Sequence, residues 1–204
     1  MLTLVLLLSA PLPAATVRFC YEGDLQNTRL QSQQVGPYQI YGDVAGRLAE
    51  AVQQLQIQAV FHKMPWRRCL KAVADGTLDA AFALAWTIDR ANKLVFPPGL
   101  PHTQPHPLRM NRISYVIYRK KGGLLQWDGQ QFAQVRHGVA APQGYAAEKQ
   151  LAALGVLNPV NLDTGSALKL VANDRLDAFV FPQSTASSVL ANHPDAAKLE
   201  ALPE

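Results

Sequence analysis

A chain of 204 residues, 49% apolar and 17% charged, carries enough material for one or two packed domains and excludes intrinsic disorder. Its net charge of +4 is spread along the sequence, apart from Arg67–Arg68 and Arg119–Lys121. A scattered basic surface of this kind is a solvated one, and nucleic acid is not an expected partner.

Residues 1–15, MLTLVLLLSAPLPAA, form an apolar stretch that ends in small residues. The stretch is too short to span a bilayer, and Pro11 and Pro13 would break a helix. It reads as a signal peptide cleaved near Ala15, which makes the mature protein periplasmic. No Lys or Arg precedes the apolar run; the alternative is a buried strand over Leu4–Leu8. Export in turn favours a disulfide between the two cysteines, Cys20 and Cys69, over a pair of buried thiols. Closing a loop of about 50 residues stabilises by roughly 4 kcal/mol in the chain-entropy account. There is no Cys-x-x-Cys, so a zinc site is not expected.

After the signal, Val17–Tyr21 is a β-rich run, followed by a polar stretch to Gly42. Asp43–Leu55 has helical spacing, with Val44, Leu48, Ala51, Val52 and Leu55 on one face. Ile57–Phe61 reads as a strand. Pro65 sits at the first turn of a second helix, which buries Trp66, Cys69, Leu70 and Val73 and closes at Gly76. Leu78–Leu84 is an apolar strand, and Pro97–Pro107 is irregular. The order strand, helix, strand, helix, strand predicts a parallel sheet covered by helices.

Ile113–Arg119 alternates like a strand and reads as a crossover. A second block then repeats the pattern: strand Gly138–Ala141, helix Tyr145–Leu154 closed by Gly155, and strand Val160–Leu162. Helix Ser166–Ala172 follows, capped by Ser166 or Thr164. Strand Leu176–Phe181 and helix Gln183–Ala191 complete the block. Within the blocks, Lys71–Ala83 (KAVADGTLDAAFA) and Lys169–Phe181 (KLVANDRLDAFVF) share Lys, Val, Ala, Leu, Asp and Ala in register. The chain is therefore expected to form two similar α/β lobes, residues 16–117 and 118–204, with a cleft between them. Ligands of open α/β sheets sit beyond the carboxyl ends of the strands.

The candidate ligand-binding residues lie just after those strands. Arg90 leads, since a guanidinium presents a fixed fork of donors that matches a carboxylate. Thr87 can add a hydroxyl. Trp66 and Trp86 can stack on a ligand, although core packing is an equal reading for Trp66. Gly144 and Tyr145 precede a helix whose N–H groups can meet an anion. Tyr21 and Glu22 end the first strand, where a carboxylate can accept from an amine. A surface Arg90 paired with Asp89 or Glu22 is the competing reading. His102 and His106 are four apart, but Pro101, Pro105 and Pro107 forbid the helix that would make them metal ligands. No nucleotide, nucleophile-elbow or zinc-protease motif occurs, so neither a cofactor nor an enzyme activity is expected.

Asp75-Gly76-Thr77-Leu78-Asp79-Ala80, Thr87-Ile88-Asp89-Arg90 and Leu94-Val95-Phe96-Pro97 together resemble the bacterial extracellular solute-binding proteins of family 3. The likeness extends through Val139–Tyr145 and Leu170–Val180. Pro65-Trp66-Arg67-Arg68-Cys69-Leu70 is similar to an element of a short subgroup of that family. The resemblance implies a two-lobed, type II periplasmic-binding-protein-like α/β fold, each lobe a mostly parallel sheet flanked by helices. It implies that Arg90 grips a ligand carboxylate with Thr87 nearby, and that the lobes close about Tyr115–Arg119. It also implies delivery of a small-molecule ligand to a membrane permease, as in ABC transporters. Two positions depart from the amino-acid binders: Gly144-Tyr145 replaces a Gly-Thr pair, and Pro182 replaces an Asp. Family members continue past the point that Glu204 reaches here, so a C-terminal return segment is expected to be missing. Two alternatives share the fold, a ligand-sensing module for a signalling partner and a small dehydratase-like lyase using Glu22.

Overall fold

The computed structural model describes residues 15–22, 32–99 and 109–203. Residues 1–14 of the expected signal peptide, and His102 and His106, lie outside the described residues. The first sheet has three parallel strands, with β1 (Val17–Glu22) between β4 (Ala59–Met64) and β5 (Ala80–Ala81). Alternation along β1 feeds two cores. Phe19 and Tyr21 pack with Ile40, Phe61 and Phe82 beside helix α1 (Asp43–Gln54). Cys20 packs on the opposite face with Trp66, Cys69 and Leu78 beside α2 (Trp66–Ala74). A disulfide joins Cys20 to Cys69 there.

Several local expectations are corrected. The polar stretch before Gly42 contains a hairpin, β2 (Ser32–Val35) and β3 (Tyr38–Tyr41). Gly36 turns it with φ +52, and fully buried Ile40 anchors it to the core. On α1 the buried positions are Ala45, Gly46, Ala49 and Val52, while Ala51 and Leu55 face solvent. Ladder pairing in the run Leu78–Leu84 covers Ala80–Ala81 alone, and Ala83 has φ +57. Val160–Leu162 is not a strand; Leu157 instead bridges to Val139. The cap of the fifth helix is Asp163, whose side chain accepts from Ser166 N at 2.9 Å.

The second sheet has the order β11 (Leu199–Ala201), β6 (Tyr115–Lys120), β10 (Ala178–Pro182), β9 (Val139–Ala140). Strands β9 and β10 run parallel, and β6 is antiparallel to both its neighbours. A small hairpin, β7 (Gln126–Trp127) and β8 (Phe132–Ala133), flanks it. Residues from Tyr115 to Lys120 are thus paired inside this sheet rather than crossing freely between sheets. Tyr115 and Ile117 pack on one face, towards α4 (Ala146–Ala153). Tyr118 packs on the other, with α5 (Thr164–Ala172) and α6 (Gln183–Leu190). The single-turn helix α3 (Ile88–Ala91) lies between β5 and this second half.

The internal repeat has a structural counterpart. Gly76 (φ +72) and Asp174 (φ +56) occupy equivalent left-handed positions after α2 and α5. Asp79 and Asp177 then tie the start of each following strand to its neighbour. Asp79 Oδ2 accepts from Arg18 N at 2.8 Å, and Asp79 N donates to Arg18 O at 3.0 Å. Asp177 Oδ2 accepts from the N–H groups of Arg136, His137 and Gly138 at 2.6–2.8 Å, and Asp177 N donates to Gly138 O at 3.0 Å. Asp177→Ala strands three donors and is expected to destabilise by about 2 kcal/mol in denaturant melts.

Asp79 also accepts from the Arg18 guanidinium, at 2.9 and 3.0 Å. The Arg18 side chain, then its backbone N–H, hold the Asp79 carboxyl down from 3.8 to about 2. A depressed folded-state value stabilises fully above the unfolded value and is lost as pH falls through the folded one. Thermal melts should therefore show a loss between pH 5 and about pH 2 that is shallower in Asp79→Asn.

Candidate functional site

The carboxyl ends of β1, β4 and β5 meet those of β9 and β10 across a cleft of about 160 Å³. From the first half the lining comes from Glu22, Val44, Trp66, Phe82–Ala85 and Arg90. Asn111 and Ile113 line it from the segment that enters β6. Tyr115, Tyr145, Pro182, Ser184 and Thr185 close the far side.

Arg90 is the organising group. It is 9% exposed, and Thr87 caps its helical turn, with Oγ1 accepting from Arg90 N at 3.3 Å. Arg90 Nη1 donates to Ala85 O at 2.6 Å, and Nη2 donates to Gly144 O at 2.7 Å. The guanidinium therefore spans the cleft. Its carbon lies 5.8 Å from the centre of the Trp66 ring, a cation–π distance. Burial pushes the Arg90 guanidinium below its usual value, while the Tyr115 and Tyr145 phenols push it back up. An arginine stays protonated through such a shift, so the cleft holds a permanent cation. Of its five N–H donors, the two carbonyls leave others for a ligand.

The start of α4 carries further contacts across the cleft. Glu148 accepts from Arg67 at 3.0 and 3.3 Å and from Gly144 N at 2.5 Å. Lys149 pairs with Asp89. Tyr145 meets Trp66 edge-on at 6.3 Å. The Tyr115 hydroxyl accepts from the N–H groups of Ala146 and Ala147; burial raises its pKa, and Arg90 and those N–H groups lower it. Each exposed pair is worth at most about 1 kcal/mol, so the set holds the lobes together without locking them.

Gly144 is pressed into this contact. A Cβ there would lie 2.9 Å from Arg67 Cγ and 3.3 Å from Trp66 Cδ1, at φ +80. Gly144→Ala is therefore expected to part the lobes. Small-angle scattering of the unliganded protein should give a larger radius of gyration than wild type; an unchanged radius would show that the Arg67 and Trp66 side chains yield to the methyl group instead.

Of the residues singled out in the sequence, Arg90, Glu22, Trp66 and Tyr145 line the cleft. Trp66 does so while also packing in the core, so both of its readings hold. Glu22 Oε2 is shielded from water. Tyr21, Trp86, Thr87 and Gly144 lie outside this lining. Tyr21 is 6% exposed and stacks on Phe82 at 5.3 Å, because β-strand alternation turns it into the core when Glu22 faces the cleft. Trp86 is half-buried outside the lining, displaced by the bend at Ala83. Thr87 and Gly144 act on Arg90 through their oxygens and lie outside the lining. Arg90 pairs with neither Asp89 nor Glu22 in an exposed ion pair; Asp89 is taken by Lys149. Sequence reasoning missed Tyr115, Asn111, Ile113 and the Arg67–Glu148 and Asp89–Lys149 pairs. Tyr115 and Ile113 lie in a run that reads as a crossover strand, and the ion pairs join residues 60 and 81 apart. Among the described residues no cluster of His, Cys, Asp and Glu could hold a metal.

Solved structures with this arrangement include an ancestral arginine-binding protein bound to glutamine, at 17% identity and TM-score 0.64. That match covers 93% of this chain and 78% of the other. The chain has a type II periplasmic-binding-protein-like fold. The same fold relates it to an amino acid ABC transporter substrate-binding protein from Streptococcus pneumoniae bound to L-arginine, at 19% identity and TM-score 0.63, covering 92% and 74%. It also relates the chain to a histidine kinase sensor domain similar to periplasmic binding proteins, at 16% identity and TM-score 0.64, covering 92% and 76%. No protein-family model matches the sequence, and a search of curated proteins finds no relative. In this binding-protein-like fold the cleft lies where the strand ends of two sheets face each other. The described residues include no helix long and apolar enough to cross a membrane.

Proposed function

We propose that this protein is an exported solute-binding protein that captures a small carboxylate-bearing ligand between its lobes and delivers it to a membrane permease. The observation that carries this reading is the buried Arg90 guanidinium, which lines the cleft and bonds to both of its walls. A cation held by neutral carbonyls in a water-poor cleft attracts an anion of matching geometry. A volume of about 160 Å³ suits a metabolite rather than a peptide. The buried disulfide fits an oxidising compartment, and thus export to the periplasm or cell surface. Closure turns on the segment entering β6, as in hinge-bending binders. The likeness to a kinase sensor domain favours one second reading, in which the same capture reports to a signalling partner.

A thermal-shift screen of the protein against amino acids, small organic acids, polyamines and sugars tests the proposal. A solute at 100 times its Kd adds about 2.7 kcal/mol to the folded state, which reads as a clear rise in Tm. Hits confined to carboxylate-bearing solutes are expected; hits confined to amines or sugars would overturn the reading. Growth of a deletion strain on the captured solute as sole nutrient separates delivery from sensing.

A further inference from the structure

The basic run Arg119–Lys121 takes no part in the cleft. It ends β6, which is antiparallel to both of its neighbours, so it lies beside the starts of β9, β10 and β11. Arg119 is level with Ala178, and Lys120 with Leu199. The turns that enter those strands bring Arg136, Arg175 and Lys198 to the same end of the sheet. Lys169 stands in the last turn of α5, which leads into Arg175.

These turns are stitched together. Lys121 N donates to Lys198 O at 2.8 Å, and Asp177 holds the N–H groups of Arg136 and His137. The described carboxylates at this end are engaged: Asp174 with Lys120, Glu200 with Arg119, Asp195 with Lys198, and Asp177 with backbone. The hydrogen bond to Lys120 pulls the Asp174 carboxyl below its ordinary value, and the charge of Arg136 adds to the pull. Among the described residues, the exposed side chains of Lys121, Arg136, Lys169 and Arg175 stand without an ion pair. Leu124, just beyond Lys121 and the two glycines, is 55% exposed.

We propose that this end of the second half is a docking surface for an anionic lipid bilayer, with the four cations meeting lipid phosphates and Leu124 entering between the headgroups. Each Lys or Arg near an anionic membrane adds its own increment of binding, so four make a reversible, salt-sensitive contact. The cations are spread over three turns and a helix end. Headgroups rearrange beneath such a set, whereas a protein partner would need a carboxylate fixed opposite each. An exposed leucine among them favours an apolar layer below. The cleft opens at the carboxyl ends of β9 and β10, the opposite end, so a molecule resting on this face keeps its cleft open to water. The proposal is independent of what the cleft holds.

Co-sedimentation of the mature protein with vesicles tests it. At low salt the protein should pellet with vesicles of phosphatidylglycerol and phosphatidylcholine, and not with phosphatidylcholine alone. Pelleting should vanish at about 1 M salt, where charges are screened beyond roughly 3 Å. Lys121→Glu with Arg136→Glu should weaken partitioning at least about ten-fold, and so should Lys169→Glu with Arg175→Glu. Arg47→Glu with Lys93→Glu, which changes net charge equally on exposed residues of the first half, should leave it nearly unchanged. Melts check that each variant folds. Failure to pellet at low salt, equal pelleting with neutral vesicles, or equal loss in the first-half pair would overturn the proposal. Retention on polyglutamate as strong as on vesicles, and insensitive to Leu124→Ser, would assign the face to an acidic protein instead and also overturn it.

Discussion

Arg90→Ala should weaken binding of the captured solute by about 100-fold or more. Removing one member of a buried, hydrogen-bonded charge pair costs about 2–5 kcal/mol, and every 1.4 kcal/mol is about ten-fold in affinity. The loss has two sources. The ligand carboxylate loses its cation, and the carbonyls of Ala85 and Gly144 lose the donor that joins them across the cleft. Arg90→Lys separates them. An ammonium keeps the charge but cannot place a fork between two carbonyls and a carboxylate at once, so an intermediate loss is expected. Circular dichroism and melts of both variants guard against a folding defect, because Arg90 also packs on Trp66. Titration calorimetry reads the result. An Arg90→Ala protein that folds and binds as tightly as wild type would remove Arg90 from the site.

Replacing both cysteines by alanine should cost about 4 kcal/mol of stability. The bond closes a loop across a sequence separation of 49, and both sulfurs are fully buried. Loop-closure entropy for that length gives the figure, which for a chain of this size corresponds to a fall in Tm of about 10 °C. The bond also has a place in the site. It ties β1, which ends in Glu22, to α2, which begins with Trp66. The variant should therefore lose affinity as well as stability, because two walls of the cleft lose their common anchor. Denaturant melts of the oxidised wild type and the double variant measure the first effect, and titration the second. Equal midpoints would contradict it.

Much of this architecture was legible in the chain because it is local. The β–α–β order follows from runs such as Val17–Tyr21 and from the amphipathic spacing of α2. The recurrence of Leu-Asp-Ala marked two equivalent turns, and the structure gives the reason: Asp79 and Asp177 each hold the backbone of the next strand. Arg90 was legible because it follows a strand end by one short turn. What escaped is non-local or masked by polarity. The β2–β3 hairpin carries glutamines on its strands and is held by Ile40, with Val35, Tyr38 and Tyr41 packed beside it. Thr87 and Trp86 sit beside Arg90 in sequence, yet a left-handed Ala83 and a one-turn helix decide which of the three faces the cleft. The Arg67–Glu148 and Asp89–Lys149 pairs depend on how two sheets approach, which no window of sequence contains.

The most direct test of the central claim is nuclear magnetic resonance of the labelled protein during titration with the solute that raises its Tm. Backbone amide shifts should concentrate on Glu22, Phe82–Arg90, Tyr115, Tyr145 and Ser184–Thr185, on both walls of one cleft. Shifts confined to one half, or centred on the β7–β8 hairpin, would contradict capture between the lobes.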